Sequence, residues 1–329
     1  MPAPKKDPRK RPTIYDLARH AGVSPGTASR VLNNRDRVDP DTRARVLSSA
    51  RVLNLKPRAG ARMQQIAVLS DPRFPDRIEG YAARLSAHLS FSLSRRNATV
   101  LNPSDPISQL PDTFLDGIIA VTYDQDLVQF LTELEERIPV VYMDKFDCRP
   151  GQHAVCSDHR MAGYLAARHF LARGKKRLAI VGMDILPMHE RLKGYREAIE
   201  EAGATADEKL LQLFGRETGT TNYASSITHK VRAGADAIFT PGSSYEGINC
   251  LHVLSYVMGL AIPRDVALIT GEIGGISDVM NPPLTTIEEP LPEMAEQAVT
   301  MIMRLASGEK IARRQLTLPV RLIERASVF

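Results

Sequence analysis

The sequence predicts an α/β protein in two parts, a small three-helix head and a large body of parallel βα units. Three observations predict it. Helix caps and apolar helical spacings recur over residues 13–55, short β-rich apolar runs alternate with helical patterns from Ile66 onward, and the charge divides near the same boundary. A chain of 329 residues is too long for one small domain and suits a head plus one large α/β body. Hydrophobic content of 43% with 25% charged residues is that of an ordinary globular chain. No apolar run approaches the roughly 18 residues needed to span a bilayer, so no membrane partner is expected. Met1 to Pro12 are basic and proline-rich without an apolar stretch behind them, which is not a secretory signal and points to the cytoplasm. Cys148, Cys156 and Cys250 are odd in number and lack metal-ligand spacing, so reduced thiols are expected rather than a disulfide or a metal site.

In the head, Thr13 followed by Asp16 forms a capping-box pattern, and Ile14, Leu17, Ala18 and Ala21 then recur at helical spacing. Gly22 supplies a left-handed end to this helix. Ser24 caps a second one with Pro25 at its first position, where a missing N–H costs nothing. Two helices so closely joined make a helix-turn-helix. Ala28, Val31 and Leu32 face inward on the second helix, which leaves Gly26, Thr27, Ser29 and Arg30 on or beside the free face. Asp39 and Pro40 start a third helix whose Val46, Leu47, Ala50 and Leu53 close a small core. Taken alone, this pattern also fits a plain three-helix bundle.

Charge separates the two readings. Residues 1–62 hold 15 Lys and Arg against 5 Asp and no Glu, a net of +10, whereas the remainder carries 28 basic and 33 acidic residues, a net of −5. A basic head on an acidic body points to a polyanionic partner for the head, because phosphate neutralisation and counterion release supply most nonspecific DNA affinity. A solvated basic arm over residues 1–12 would account for Lys5 to Arg11. It leaves Arg19, Arg30, Arg35, Arg37, Arg43, Arg45 and Arg51, inside structured segments, unexplained.

From Ile66 the pattern is of βα units. Strands are expected at Ile66–Ser70, Thr99–Asn102, Gly117–Val121, Val140–Asp144, Leu178–Gly182, Ala237–Thr240 and Val266–Thr270. Helices are expected at Asp76–Arg95, Asp126–Arg137, Arg160–Arg173, His189–Ala202, Tyr223–Arg232, Tyr245–Met258 and Leu291–Ser307, while Asn102–Asp116 is too short for a full helix. Ligands of such sheets bind beyond the carboxyl ends of the strands.

The strings Thr13-Ile14-Tyr15-Asp16-Leu17-Ala18, Ala21-Gly22-Val23-Ser24 and Thr27-Ala28-Ser29-Arg30-Val31-Leu32-Asn33, continued by Thr42-Arg43, Val46 and Leu53-Asn54, resemble the head of the lactose-repressor (LacI/GalR) family. The resemblance extends into the body through Asp158 with Gly163, Gly174 with Arg177-Leu178-Ala179-Ile180, Arg191-Leu192-Lys193-Gly194-Tyr195, Pro263 to Ile269 and Leu284-Thr285-Thr286-Ile287. It implies a periplasmic-binding-protein-like domain over 66–329, two parallel-sheet lobes with crossovers near 157, 288 and 315. It further implies a homodimeric, effector-controlled transcription regulator, most simply a repressor, bound to a double-stranded DNA operator.

By this resemblance the second helix enters the major groove and places Pro25, Gly26 and Arg30 at base edges. Ser24, Thr27, Ser29 and Asn33, with Thr13 and Tyr15 of the first helix, complete the DNA face. Neither Pro25 nor Gly26 donates from a side chain, so hydrogen-bonding specificity falls on Arg30, whose fork matches guanine O6 and N7. Residues 56–65 resemble the family's hinge, with Arg58 and Arg62 near the phosphates. The intercalating-leucine position holds Gln64 with Met63 beside it. Either Met63 is the wedge or the position has been given up and the DNA stays nearly straight; the second is the favoured expectation.

The effector candidates are Arg191, matching the family's gripping arginine, Asp144 and Glu272 at strand ends, Asp71 and Phe74 after the first strand, and Ser243 with Tyr245. Each acid alone is equally an ordinary cap or surface charge. The family's Asn-Asp pair is missing around Gly242-Ser243, which removes the support for a typical pyranose grip. An anionic or hydroxyl-rich ligand, a sugar or another polar metabolite, is expected on Arg191.

Rival classes lack their motifs. No G-x-G-x-x-G or Walker loop is present, Gly242 to Gly247 misses the nucleophile-elbow pattern by one residue, and His189-Glu190 lacks a second His at metal spacing, so neither an enzyme nor a cofactor is expected. An exported binding protein would share the body but not the basic head. A DNA-binding regulator whose pocket has lost its small molecule remains the alternative.

Overall fold

The computed structural model describes residues 12–32, 38–53, 55, 63–70, 80–111, 113–215, 221–241, 245–272, 274–312 and 314–329. In the head, α1 (Ile14–Ala21), α2 (Pro25–Leu32) and α3 (Pro40–Val52) follow the capping pattern. Asp16 donates its N–H to Thr13 Oγ1 at 3.3 Å and accepts the Thr13 N–H at 2.9 Å, which satisfies two donors reciprocally. Gly22 ends α1 at φ 65°, a conformation that costs a side-chain-bearing residue. Ser24 Oγ accepts from Thr27 N at 3.0 Å, and the Asp39 carboxylate accepts from the Asp41 and Thr42 N–H groups. Leu17, Ala18, Ala21, Ala28, Val31, Leu32, Val46, Leu47 and Ala50 form the buried core, with Leu53 only half-buried at its edge.

The first sheet of the body contains β1 (Gln65–Ser70), β2 (Thr99–Leu101), β3 (Gly117–Val121), β4 (Val140–Met143), β5 (His153–Ser157) and β10 (Gln315–Leu318). Their order is β10-β5-β4-β3-β1-β2, all parallel. Alternation along the strands sends Ile66, Val68, Ile119 and Val121 towards α4 (Tyr81–Arg95) and α12 (Leu291–Ala306). Ala67, Leu69, Ile118 and Ala120 face α6 (Gln125–Leu134) instead. The second sheet has order β11-β9-β8-β7-β6, from β6 (Leu178–Ile180), β7 (Ala237–Thr240), β8 (Ala267–Gly271), β9 (Thr285–Glu288) and β11 (Arg321–Ile323). It is parallel except for β11. On one face lie α7 (His159–Ala172) and α8 (Leu186–Glu201). The other carries α9 (Glu208–Leu211), α10 (Thr221–Arg232) and α11 (Tyr245–His252).

The chain crosses between the sheets three times, at β5 to α7, at β9 to α12, and between Leu318 and Arg321. The third crossing lies beyond the expected position near 315, because Gln315–Leu318 is itself a strand paired with β5. β5, β9, β10 and β11 lie outside the runs that the sequence pattern picks out. β10 is an edge strand with no fully buried residue, so it carries no apolar run to read. The helix expected to reach Met258 stops at His252, and a π-helical turn, Val253–Val257, replaces its last part.

The segment too short for a full helix holds one turn, α5 (Pro106–Gln109). Just after it the body meets the head: Phe114 packs against the head core, and Arg51 of α3 donates from Nη2 to the Pro111 carbonyl at 2.7 Å.

Candidate functional site

The head presents its candidates by exposure. Ser24, Pro25, Gly26 and Arg30 are exposed on α2, Thr27 and Ser29 are half-buried, and Thr13 and Tyr15 are exposed on the adjoining end of α1. Around Gly26 the nearest atom to an added Cβ is Ser24 Oγ at 3.8 Å, so a duplex can approach the backbone there. Arg30 donates from Nε to Gly26 O at 3.3 Å, which holds the stem of the guanidinium along the helix and turns its fork outward. Met63 is 54% exposed just before β1. Asn33, Arg58 and Arg62 lie outside the described residues, as do Asp71, Phe74 and Ser243 and the side chain of Tyr245.

The body brings a second set together at the crossovers, beyond the carboxyl ends of the first sheet's strands. Close helix packing places Arg191. A Cβ on Gly163 would sit 1.9 Å from Arg191 O, and one on Gly194 would sit 1.8 Å from Arg160 O, so only glycines let α7 and α8 approach this nearly. That contact pins the backbone of Arg191, and its side chain enters the buried space between the crossover segments. There Arg191 Nη2 is ion-paired with Glu289, on the segment leading from β9 to α12, and both side chains are about nine-tenths buried.

His159, at the start of α7, lies between two acids, with Nε2 3.2 Å from Asp144 Oδ1 and Nδ1 3.4 Å from Glu289 Oε1. Ser157 Oγ is 3.1 Å from His159 Nδ1, and the Phe146 ring meets the imidazole edge-on. Burial and the Arg191 charge push the His159 pKa down, but Asp144 and Glu289 outweigh them and leave it raised. For Glu289 burial works upward, yet Arg191 and His159 hold its carboxyl down at about 2. An ion network that matches every charge is the usual condition for burying such groups.

Asp144 itself is saturated. Oδ1 accepts the Ser157 N–H at 3.0 Å besides facing His159, and Oδ2 accepts the hydroxyls of Tyr81 and, at 3.4 Å, Tyr123. Glu272 is engaged elsewhere, taking Thr286 Oγ1 at 2.6 Å and Arg325 Nη1 at 2.9 Å, while its carbonyl accepts from Arg84 of α4 at 2.9 Å. Thus Arg191 and Asp144 share one network and Glu272 belongs to a neighbouring one. The carboxylate that accepts from Arg191 is Glu289, neither Asp144 nor Glu272. Among the described residues, Arg191 Nε and Glu289 Oε2 are buried polar atoms without a hydrogen-bond partner, as is Thr240 Oγ1 at the end of β7.

Tyr81, Tyr123, His159 and Glu289 were missing from the sequence candidates. His159 directly follows Asp158, and Glu289 follows Ile287 by two residues, so both sat beside quoted motifs. Both stand just beyond strands, β5 and β9, that the apolar pattern does not pick out, so strand-end reasoning passes over them. Among the described residues no group of His, Cys, Asp and Glu is arranged for a metal ion, and no helix is long and apolar enough to cross a membrane.

Comparison with known proteins agrees across the chain. Residues 13–58 match the bacterial regulatory proteins of the lacI family, 98–233 match the periplasmic binding proteins and sugar binding domain of the LacI family, and 167–328 match a periplasmic binding protein-like domain. The transcriptional regulator DegA of Bacillus subtilis is 28% identical over 96% of this chain and 97% of its own. The transcriptional repressor PurR of Photobacterium profundum is 26% identical over 96% of this chain and 98% of its own. Among solved structures, the regulator CelR in complex with cellobiose superposes with a TM-score of 0.70 at 26% identity, covering 96% of this chain and all of that one. A lac repressor dimer bound to operator and anti-inducer shares the fold at TM-score 0.66 and 20% identity. With a lacI-type head, two parallel-sheet lobes and relatives that match it over nearly their full length, this chain is a DNA-binding transcriptional regulator of the LacI family.

Proposed function

We propose that the protein is a cytoplasmic homodimeric repressor that binds a roughly palindromic operator through α2 and is controlled by a small polar metabolite held between its lobes. The observation that carries the reading is the pairing of an outward-facing α2, with Arg30 free to reach bases, with buried, unpartnered polar atoms at the crossovers. Groups left unpaired in a buried site are those that a ligand or a water completes. Crossover strands are also where a change in lobe angle is felt, so completing them biases the first lobe and the head attached to it. The sugar-bound and operator-bound relatives support this division of labour.

Dimerisation is supported by apolar side chains left in solvent. Phe91 on α4 is 67% exposed, and Tyr256 and Val279 of the second lobe are 80% and 78% exposed. Arg84 of α4 donates to the Glu272 carbonyl and lies near Gly274, so the two lobes meet beside α4. A two-fold dimer matches a two-fold operator. Catalysis has no support in the site, whose carboxylates and histidine are spent on one another.

The test is selection of operator duplexes from random sequence with the full chain, followed by sedimentation at operator saturation and by titration of metabolites against the complex. Two heads per duplex and release or tightening by a metabolite are the expected results. A single head at saturation refutes the dimer. The second reading, a DNA-binding regulator that answers to no small molecule, is favoured by the neutralisation of Arg191 from within the protein. It predicts a melting temperature and operator affinity indifferent to every metabolite tried.

A further inference from the structure

We infer that Glu289 is a specificity-determining residue of the cleft: by neutralising Arg191 it excludes carboxylate and phosphate ligands and selects an uncharged or cationic ligand with a hydrogen-bond donor. The inference rests on the reading of the cleft as an effector site and says what kind of effector it takes.

The argument is one of charge and of unused valence. Four ionisable groups share the buried network: Glu289 faces the Arg191 guanidinium, and both Glu289 and Asp144 face His159, whose pKa they raise. Asp144 has no oxygen to spare, since Oδ1 takes the Ser157 N–H and Oδ2 two tyrosine hydroxyls. Glu289 uses Oε1 for both Arg191 and His159, which leaves Oε2 buried and unpaired. Arg191 in turn leaves Nε buried and unpaired. The open valences are therefore one acceptor that carries a formal charge and one donor. A hydroxyl, which donates and accepts, or a protonated amine satisfies the acceptor; an added anion meets Glu289 head-on and buries a charge with no partner. An arginine read alone invites an anion, and the partner supplied by the last crossover removes the invitation.

The experiment uses the full chain and small hydroxylated probes of different charge: neutral glucose, cationic glucosamine and anionic gluconate, with inorganic phosphate as the minimal anion against chloride at equal ionic strength. The wild type should show no melting shift with phosphate or gluconate. Glu289→Gln and the smaller Glu289→Ser should gain at least tenfold in affinity for phosphate by calorimetry, and the gain should vanish when Arg191→Gln is added, which separates site binding from general salting-out. A variant that folds only with phosphate present supports the inference in the same way. It is overturned if the wild type binds gluconate or phosphate in an Arg191-dependent manner. It is overturned equally if neither variant gains anion affinity, or if neither folds even with phosphate. The broader effector reading fails separately, when no uncharged or cationic probe alters operator binding, and the phosphate result still decides the role of Glu289.

Discussion

The head and the interlobe network are opposite solutions to placing functional side chains. In the head the described DNA-face candidates are exposed or half-buried, and the contacts that position them span three or four residues, Thr13 with Asp16, Ser24 with Thr27 and Arg30 with Gly26 O. In the network every group is buried or half-buried and most are positioned from far along the chain, Tyr81 with Asp144 and Arg191 with Glu289. The first arrangement leaves the side chains in water, ready for a polyanion that arrives from outside. The second desolvates them and must match each charge internally. Substitutions should therefore act on stability in the network and on binding in the head.

The largest effect expected is Glu289→Ala. Removing one partner strands the buried Arg191 charge, at a cost of about 3–5 kcal/mol in urea unfolding, whereas the double change Arg191→Met with Glu289→Leu should recover most of it. A loss under 1 kcal/mol would mean that water reaches the pair (~1 kcal/mol being the ceiling for exposed pairs). Next comes Arg30→Ala, which should weaken operator binding by about 1–3 kcal/mol, affect random duplexes far less, and leave the melting temperature unchanged. Equal losses on both duplexes would reassign Arg30 to a phosphate.

Thr13→Ala sharpens the comparison from the other side. It removes the capping box and should cost about 1 kcal/mol of head stability without touching the lobes. Met63→Ala is expected to be almost neutral on the operator, with little DNA bending lost. A fall of a few kcal/mol together with a lost bend would establish Met63 as a wedge (~ a few kcal/mol per unstacked step).

The smallest effect is the pH limb of His159. Because its folded pKa is raised, it contributes stability that is complete below its ordinary value of 6.5 and is lost as pH rises through the folded value. Asp144 and Glu289 face it as acids, Arg191 faces the same pair as a cation, and Phe146 and Ser157 complete its surroundings. Glu289, with its pKa lowered, adds stability above its ordinary 4.5 that disappears only as pH falls towards about 2. His159→Gln should flatten the decline above neutrality and leave the acid limb in place; an unchanged decline would remove His159 as its source.

The contact between the two regions bears on the hinge. Besides the chain connection through residues 56–65, Phe114 and Arg51 with Pro111 link the body to the head. Both body residues, Pro111 and Phe114, follow the single turn of α5.

What the sequence by itself determined is the local part. Caps, a left-handed glycine, apolar spacings and the charge boundary define the head down to Arg30, because each of those signals acts over three or four residues. The central strands were equally legible, since Ile66–Ser70 and Gly117–Val121 bury nearly every side chain and so read as continuous apolar runs. Tertiary structure alone decided the rest. The edge strand β10 has no apolar run to announce it, and Asp144 changed from a free acid to a saturated one through Tyr81, sixty-three residues away. Arg191 and Glu289 stand ninety-eight residues apart, and the pair exists because two crossovers fold onto one point beside a glycine-packed helix pair. A buried arginine announces that it needs a partner; which carboxylate answers is a matter of topology, and spacing along the chain carries no trace of it.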